Sequence, residues 1–260
     1  MQHLLSSPPA ARRLAPQVKD THAGLRVEWA QSLADVRAAQ RLRYRVFVEE
    51  GGALLASTVL HHELDAFDPW CEHLLVRRQS DGEVVGTYRV LTPQKAQLNG
   101  GLYADAAFDL APLWALRPRL MELGRACVHP AHRTGGVILA LWRALARLMQ
   151  QRGLETMIGC ASVPMRDGGH AAASLWQHLS ATHLAPPELQ VRPRLPLPIE
   201  HLDRTLAVKP PPLIKGYLRL GAKLLGPPSW VPDFQTADLP MMVSLAELPV
   251  RYRRHFLAER

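Results

Sequence analysis

Apolar positions along the chain recur with two periods, and the switches between them mark the elements. "VEWA" (27–30) alternates and predicts a short strand. Ser32 then stands as a helix N-cap with Asp35 three residues on, and Leu33, Val36, Gln40, Tyr44 and Phe47 follow at helical spacing. That spacing predicts a helix over 33–49, ended by Gly51-Gly52. Residues 53–70 show no clear period and read as a loop carrying Asp65 and Asp68. "HLLVRRQSDGEVVGTYRVL" (73–91) predicts a hairpin about Ser80-Asp81-Gly82. "LMELGRACV" (120–128) reads as a third strand, and 137–152 as a helix with Leu141, Leu145 and Leu148 inward, ended by Gly153. A strand over 156–163 and a helix over 170–184 follow.

Beyond a proline-rich stretch (186–198), Lys215, Arg219 and Lys223 recur every fourth residue, opposite Ile214, Tyr217 and Leu218. This predicts a basic amphipathic helix over 213–225. A late strand (235–245) and a basic tail, "RYRRHF", complete the pattern. Strands alternate with helices while the first hairpin is antiparallel. The class is therefore α+β, a mixed sheet flanked by helices. Three parts are expected: a mobile tail over 1–24, a core over 25–200, and a C-terminal extension over 201–260 packed on that core.

Composition narrows the picture. The chain has 260 residues, 47% apolar and 21% charged, and no apolar run long enough for a bilayer. Residues 1–24 contain Arg12 and Arg13 but no apolar segment of a secretory leader. The three cysteines, Cys71, Cys127 and Cys160, form no C-x-x-C pair, which points to a reducing, cytoplasmic setting. No H-E-x-x-H occurs among the twelve histidines, and no metal site is expected. The formal charge of +8 fits an acidic protein partner, an anionic membrane surface or nucleic acid. Aromatics are only 6% and are not clustered on the basic helix, which argues against nucleic acid.

The 120–128 strand carries the chemistry. Alternation puts Glu122 and Arg125 on opposite faces, so both can line one site only if a β-bulge falls between or beside them. A buried Glu122 would titrate near neutrality and could take a proton from an amine. The plain alternative is an edge-strand ion pair. After the strand, Arg133, Gly135 and Gly136 precede a helix, an arrangement that can hold an anion on free N–H groups. The GNAT acyltransferases bind the coenzyme A pyrophosphate there with Q/R-x-x-G-x-G/A. Arg133 and Gly136 fit that pattern, but Ile138 stands where a small residue belongs.

Together these pieces resemble the acyl-homoserine-lactone synthases, a GNAT branch that uses acyl carrier protein. "RYRVF" matches their R-x-x-V-F at Arg43, Val46 and Phe47. Asp65 and Asp68 match a pair of aspartates, "GTYR" a G-x-x-R strand at Gly86 and Arg89, and Glu122 with Arg125 the E-x-x-R. "FDPWCEHLLV", "ELGRACVHPAHR", "GCAS" and "PPLIKGYLRLGA" look more like the ornithine N-acyltransferases of ornithine-lipid synthesis, from about residue 25 onward.

That resemblance implies a GNAT-like fold and transfer of a 3-hydroxyacyl group from acyl carrier protein to the α-amine of L-ornithine, with no tightly bound cofactor. Glu122 is the expected general base, direct or through water, with Arg125 beside it. Asp65 and Asp68 are expected to receive the δ-amine, and Arg43 or Arg89 the α-carboxylate, with Phe47 nearby; the two pairs could equally brace one another. The donor arm is expected along Cys127, Val128, Arg133, Gly135 and Gly136, an N–H near Cys127 or Val128 meeting the oxyanion. Lys215, Arg219 and Lys223 are expected to meet the carrier protein or the inner membrane face. Two other readings stand beside this one: a signal synthase acylating another amine, and a non-enzymatic basic lipid-binding module.

Overall fold

The computed structural model describes residues 20–22, 24–55, 58–59 and 61–257. Most of the expected tail therefore lies outside the described residues, and its end is strand: β1 (Asp20–His22) pairs antiparallel with β2 (Leu25–Trp29). Helix α1 (Leu33–Arg43) opens with the expected capping box, Ser32 accepting from the Asp35 N–H while Asp35 reaches back to the Ser32 N–H. The α-helix stops earlier than its spacing predicts, at Arg43. Residues Tyr44–Glu50 continue as a π-helix, a wider coil common at functional sites.

The stretch expected as loop holds a small hairpin, β3 (Thr58–Val59) with β4 (His62–Glu63), and a 3₁₀ turn over Asp68–Trp70. The predicted hairpin is β5 (Glu72–Arg78) with β6 (Val84–Leu91). Helix α2 (Pro93–Asn99), a 3₁₀ turn over Tyr103–Ala106 and the short β7 (Phe108–Asp109) lead to β8 (Leu120–Val128). Helix α3 (Gly136–Gln151), β9 (Thr156–Pro164) and α4 (His170–His183) lie close to their predicted bounds. The short β10 (Arg192–Pro193) pairs with β7.

The C-terminal residues correct two expectations. Helix α5 (Pro212–Arg219) ends before Lys223, which sits in the two-residue strand β11 (Lys223–Leu224). The apolar face of α5 is already spent inside the protein, with Ile214 1% and Tyr217 7% exposed. Gly216 permits this close approach, since a Cβ there would meet the Trp142 ring of α3. Nor is 201–260 simply packed on the outside. After β12 (Ser229–Val231), β13 (Thr236–Ser244) pairs with β9 along its whole length. The expected basic tail is helix α6 (Val250–Leu257), which packs on α3.

The main sheet runs β1-β2-β5-β6-β8-β9-β13-β11, with β12 also paired to β13. All neighbours are antiparallel except β8 and β9, which run parallel. One face packs Leu141, Leu145 and Leu148 of α3 against Val76, Tyr88 and Met121. Gly86 lets α3 approach β6 closely: a Cβ there would overlap Val137. The other face carries Phe108, Leu113, Leu120, Ile158 and Met242.

Candidate active site

The site arises where the sheet comes apart. Strands β8 and β9 pair only as far as Leu123 opposite Gly159. Beyond that row β9 stays with β13, and β8 stays with β6, so a cleft opens between them. The divergence coincides with the bulge that the faces of Glu122 and Arg125 demanded. Gly124 lies opposite Arg89 and Cys127 opposite Thr87, so Arg125 and Ala126 together face Tyr88. Arg125 sits at φ 51°, a left-handed conformation that β-carbons disfavour and that surrounding bonds must hold.

Those bonds belong to a buried cluster of three arginines and three acids. Arg43, 0% exposed, meets Glu63 at 2.5 Å and Asp68 at 2.6 Å. Arg89 meets Asp65 at 2.5 Å and Asp68 at 3.0 Å. Arg125 closes the ring on Glu63 at 2.9 Å and Asp65 at 2.8 Å. The charges cancel, three against three. Burial works against ionised Asp68, but Arg43 and Arg89 outweigh it and hold its carboxyl well below the usual range. The Asp65 carboxyl is lowered in the same way by Arg89 and Arg125. Arg125 is also sandwiched, its guanidinium 4.7 Å from the ring centres of both Tyr103 and Phe234. Its Nη1 donates to no group among the described residues.

Glu122 stands apart from this ring. It is 5% exposed and meets no arginine at bonding distance among the described residues; its two oxygens accept from the backbone N–H groups of Tyr103 (2.6 Å) and Ala104 (2.8 Å). Burial pushes its carboxyl up to about 7, against the pull of those two bonds and of Arg89. A group so placed exchanges protons near neutral pH.

Two cavities meet at Val46, Ala126 and Leu213. One, of about 580 Å³, contains Glu122, Arg125, Phe47, Ser162 and Asp238 in its wall. The other, of about 570 Å³, is lined by Cys127, Val128, Arg133, Gly135 and Ile138, with Lys215 and Arg219 at its rim. Gly136 and Lys223 do not line it. Arg133 is bound at both terminal nitrogens by Glu50 of the π-helix, at 2.6 and 2.7 Å. Burial raises the Cys127 thiol to about 12, so it stays protonated.

Of the residues read from sequence, Glu122, Arg125 and Phe47 thus reach one cavity, and most of the donor set reaches the other. Arg43, Asp65, Asp68 and Arg89 are ion-paired with one another, and of the two roles that the sequence allowed them this geometry fits the mutual brace. Sequence reading missed Glu63, although it stands only two residues before Asp65, at the end of β4. It also missed Asp238, a lone acid within an apolar strand, which is the same signal that singled out Glu122.

Among the described residues no helix is long and apolar enough to cross a membrane, and no cluster of metal-ligating side chains occurs. Residues 42–143 match the acetyltransferase (GNAT) domain model. The solved structure of the acyl-homoserine-lactone synthase LasI shares the fold, with a TM-score of 0.53 over 89% of this chain and 94% of that one, at 16% identity. The chain is 36% identical to the L-ornithine N(alpha)-acyltransferase of Agrobacterium fabrum, covering 90% of this chain and 86% of that protein. It is 38% identical to the enzyme of that name from Rhodobacter capsulatus, covering 88% and 93%. A GNAT fold opened between β8 and β9, and relatedness over nine-tenths of its length, place this chain in the L-ornithine N(alpha)-acyltransferase family.

Proposed function

We propose that the protein transfers a (3-hydroxy)acyl group from the thioester of an acyl carrier protein to the α-amine of L-ornithine, forming lyso-ornithine lipid. The observation that carries this reading is Glu122: a buried carboxylate, charged near neutrality, at the wall of a cavity that joins a second one at the bulge. Glu122 takes the proton of the attacking amine, directly or through water. Arg125 offers its free Nη1 to the α-carboxylate. Past Leu123 β8 is paired with β6 but no longer with β9, so its other edge runs along the cleft, where a main-chain N–H near Cys127 or Val128 can meet the oxyanion.

Two features favour a carrier protein over coenzyme A. Ile138 fills the wall where a pyrophosphate would pass, and Arg133 is already neutralised by Glu50. Lys215 and Arg219 remain exposed and without an ion pair among the described residues. They suit the phosphate of a phosphopantetheine arm and the acidic surface of its carrier. Exposed Leu195 and Trp230 rim the Glu122 cavity and would let an amphiphilic product pass to the cytoplasmic face of a membrane.

Incubating the purified chain with L-ornithine and either acyl carrier protein thioester or acyl coenzyme A, with mass detection of product, tests this reading. Acylornithine is expected, formed preferentially from the carrier protein. Acylation of a different amino acid with ornithine untouched would overturn the acceptor assignment. Equal use of both donors would overturn the donor assignment.

A further inference from the structure

The Glu122 cavity contains a second carboxylate that the steps above leave idle. Asp238 lies on β13 opposite Ser162 of β9, and both line the cavity. The Thr236 hydroxyl donates to Asp238 Oδ1 at 3.0 Å, and the Ser162 hydroxyl supports it too. No lysine, arginine or histidine among the described residues is ion-paired with it. The two arginines in the cavity wall are engaged elsewhere, Arg125 with Glu63 and Asp65, and Arg166 with the Glu50 carbonyl. Burial raises the Asp238 carboxyl, against the hydroxyl bonds and distant Arg125, so the site is short of positive charge.

Register places Asp238 relative to the base. Glu122 lies opposite Ile158, and Ile158 opposite Met242. Asp238 is four residues away from Met242 along β13, so period-two alternation puts it on the same face as Glu122, about 13 Å along the strand direction. The cleft lies between these rows. An acceptor whose α-amine sits at the bulge, with a proton relay through water to Glu122, would extend its side chain toward Asp238.

We infer that Asp238 is the subsite for the side-chain ammonium of the acceptor, and that it selects a diamino acid over a neutral one. This inference rests on the ornithine reading and sharpens it, since Asp65 and Asp68, the acids expected for that task, are occupied by arginines. A half-buried carboxylate in a cavity wall, left without its cation, rejects an uncharged analogue by roughly ten- to a hundredfold.

The test compares L-ornithine with L-norvaline, which has the same carbon skeleton without the δ-amine, using one acyl carrier protein thioester. The unmodified protein should prefer ornithine by that factor. Asp238→Asn should erase the preference through a raised KM for ornithine, with norvaline turnover retained. If the variant keeps the preference, or loses both acceptors alike at an unchanged melting temperature, the subsite is wrong. Should the variant fail to fold, the unmodified protein decides: equal use of ornithine and norvaline overturns the subsite, and a preference for ornithine that is lost on δ-N-acetylation supports it. Acylation of neither acceptor by the unmodified protein would instead remove the ornithine reading itself.

Discussion

The ring of Arg43, Arg89 and Arg125 with Glu63, Asp65 and Asp68 lies beside Glu122, yet the two regions treat charge in opposite ways. In the ring every carboxylate meets a guanidinium, and the cluster is neutral and closed. Glu122 is equally buried but is held by two backbone N–H groups alone. Burial therefore dominates at Glu122 and lifts its carboxyl, while the arginines dominate at Asp65 and Asp68 and lower theirs. The difference separates scaffold from chemistry within one constellation of residues: a carboxylate fully matched by cations has no reason to accept a proton, and one matched only by amides does.

The strongest way to break the comparison is Glu122→Gln. It should lower kcat/KM by about a hundred- to ten-thousandfold in a thioester-release assay, because the amide cannot accept the amine proton. Near-normal turnover would remove Glu122 from the mechanism. On the other side, Arg43→Met should leave three acids of the ring facing two arginines, one buried negative charge in excess, and cost about 3–5 kcal/mol of unfolding free energy in urea titration. A loss under 1 kcal/mol would show that the ring is not the brace described here.

Titration sharpens the contrast, since the two regions link stability to pH with opposite sign. The lowered carboxyls of Asp65 and Asp68 contribute stability that is present above the unfolded pKa and lost as pH falls through their folded values. The raised carboxyl of Glu122 favours the fold below its unfolded pKa, and that contribution is lost as pH rises through about 7. Thermal melting of Glu122→Gln against the unmodified protein, across pH 4 to 9, should show the second trend disappear. In the same pH series kcat/KM should rise through about 7 in the unmodified enzyme, as the base ionises. A flat profile would mean that another group limits the reaction.

The smallest effects are expected in the second cavity, the proposed path of the donor, lined by Ile138, Lys215 and Arg219. Ile138→Gly should improve the use of acyl coenzyme A relative to carrier protein, and Lys215→Glu with Arg219→Glu should raise the KM for the carrier thioester. Each change should be roughly three- to tenfold, typical of rim contacts. Changes in ornithine KM of the same size would show that the two cavities are not separate.

Much of this division was legible in the residues. The period-two and period-3.6 runs located the hairpin, the 120–128 strand and the following helix closely, because each is long and has one apolar face. The clash between Glu122 and Arg125 on an alternating strand called for a bulge, and the bulge is there. What alternation cannot show is partnership across the chain. Arg43, Asp68 and Arg89 carry the same charges whether they bind substrate or one another, and the choice depends on how α1 and the 62–68 segment fold over β6. The basic helix misled for a related reason. Leucines on one side of a cationic helix fit a membrane and a protein core equally, and Trp142 supplied the core.

Strand β13 has a consequence for how the enzyme comes into being. It is paired with β9, β11 and β12, and it carries Asp238, yet it is the last long strand to leave the ribosome. Until it emerges, β9 presents a nine-residue unpaired edge, and one wall of the Glu122 cavity is missing. The nascent protein thus cannot close its sheet or select an amine while it is being made. Completion of the pocket depends on one pairing of segments far apart in the chain, a contact of the kind that forms slowly. A chaperone that shields a bare strand edge would be needed most during the synthesis of residues 165–245, a window in which the core is built but still open on one side.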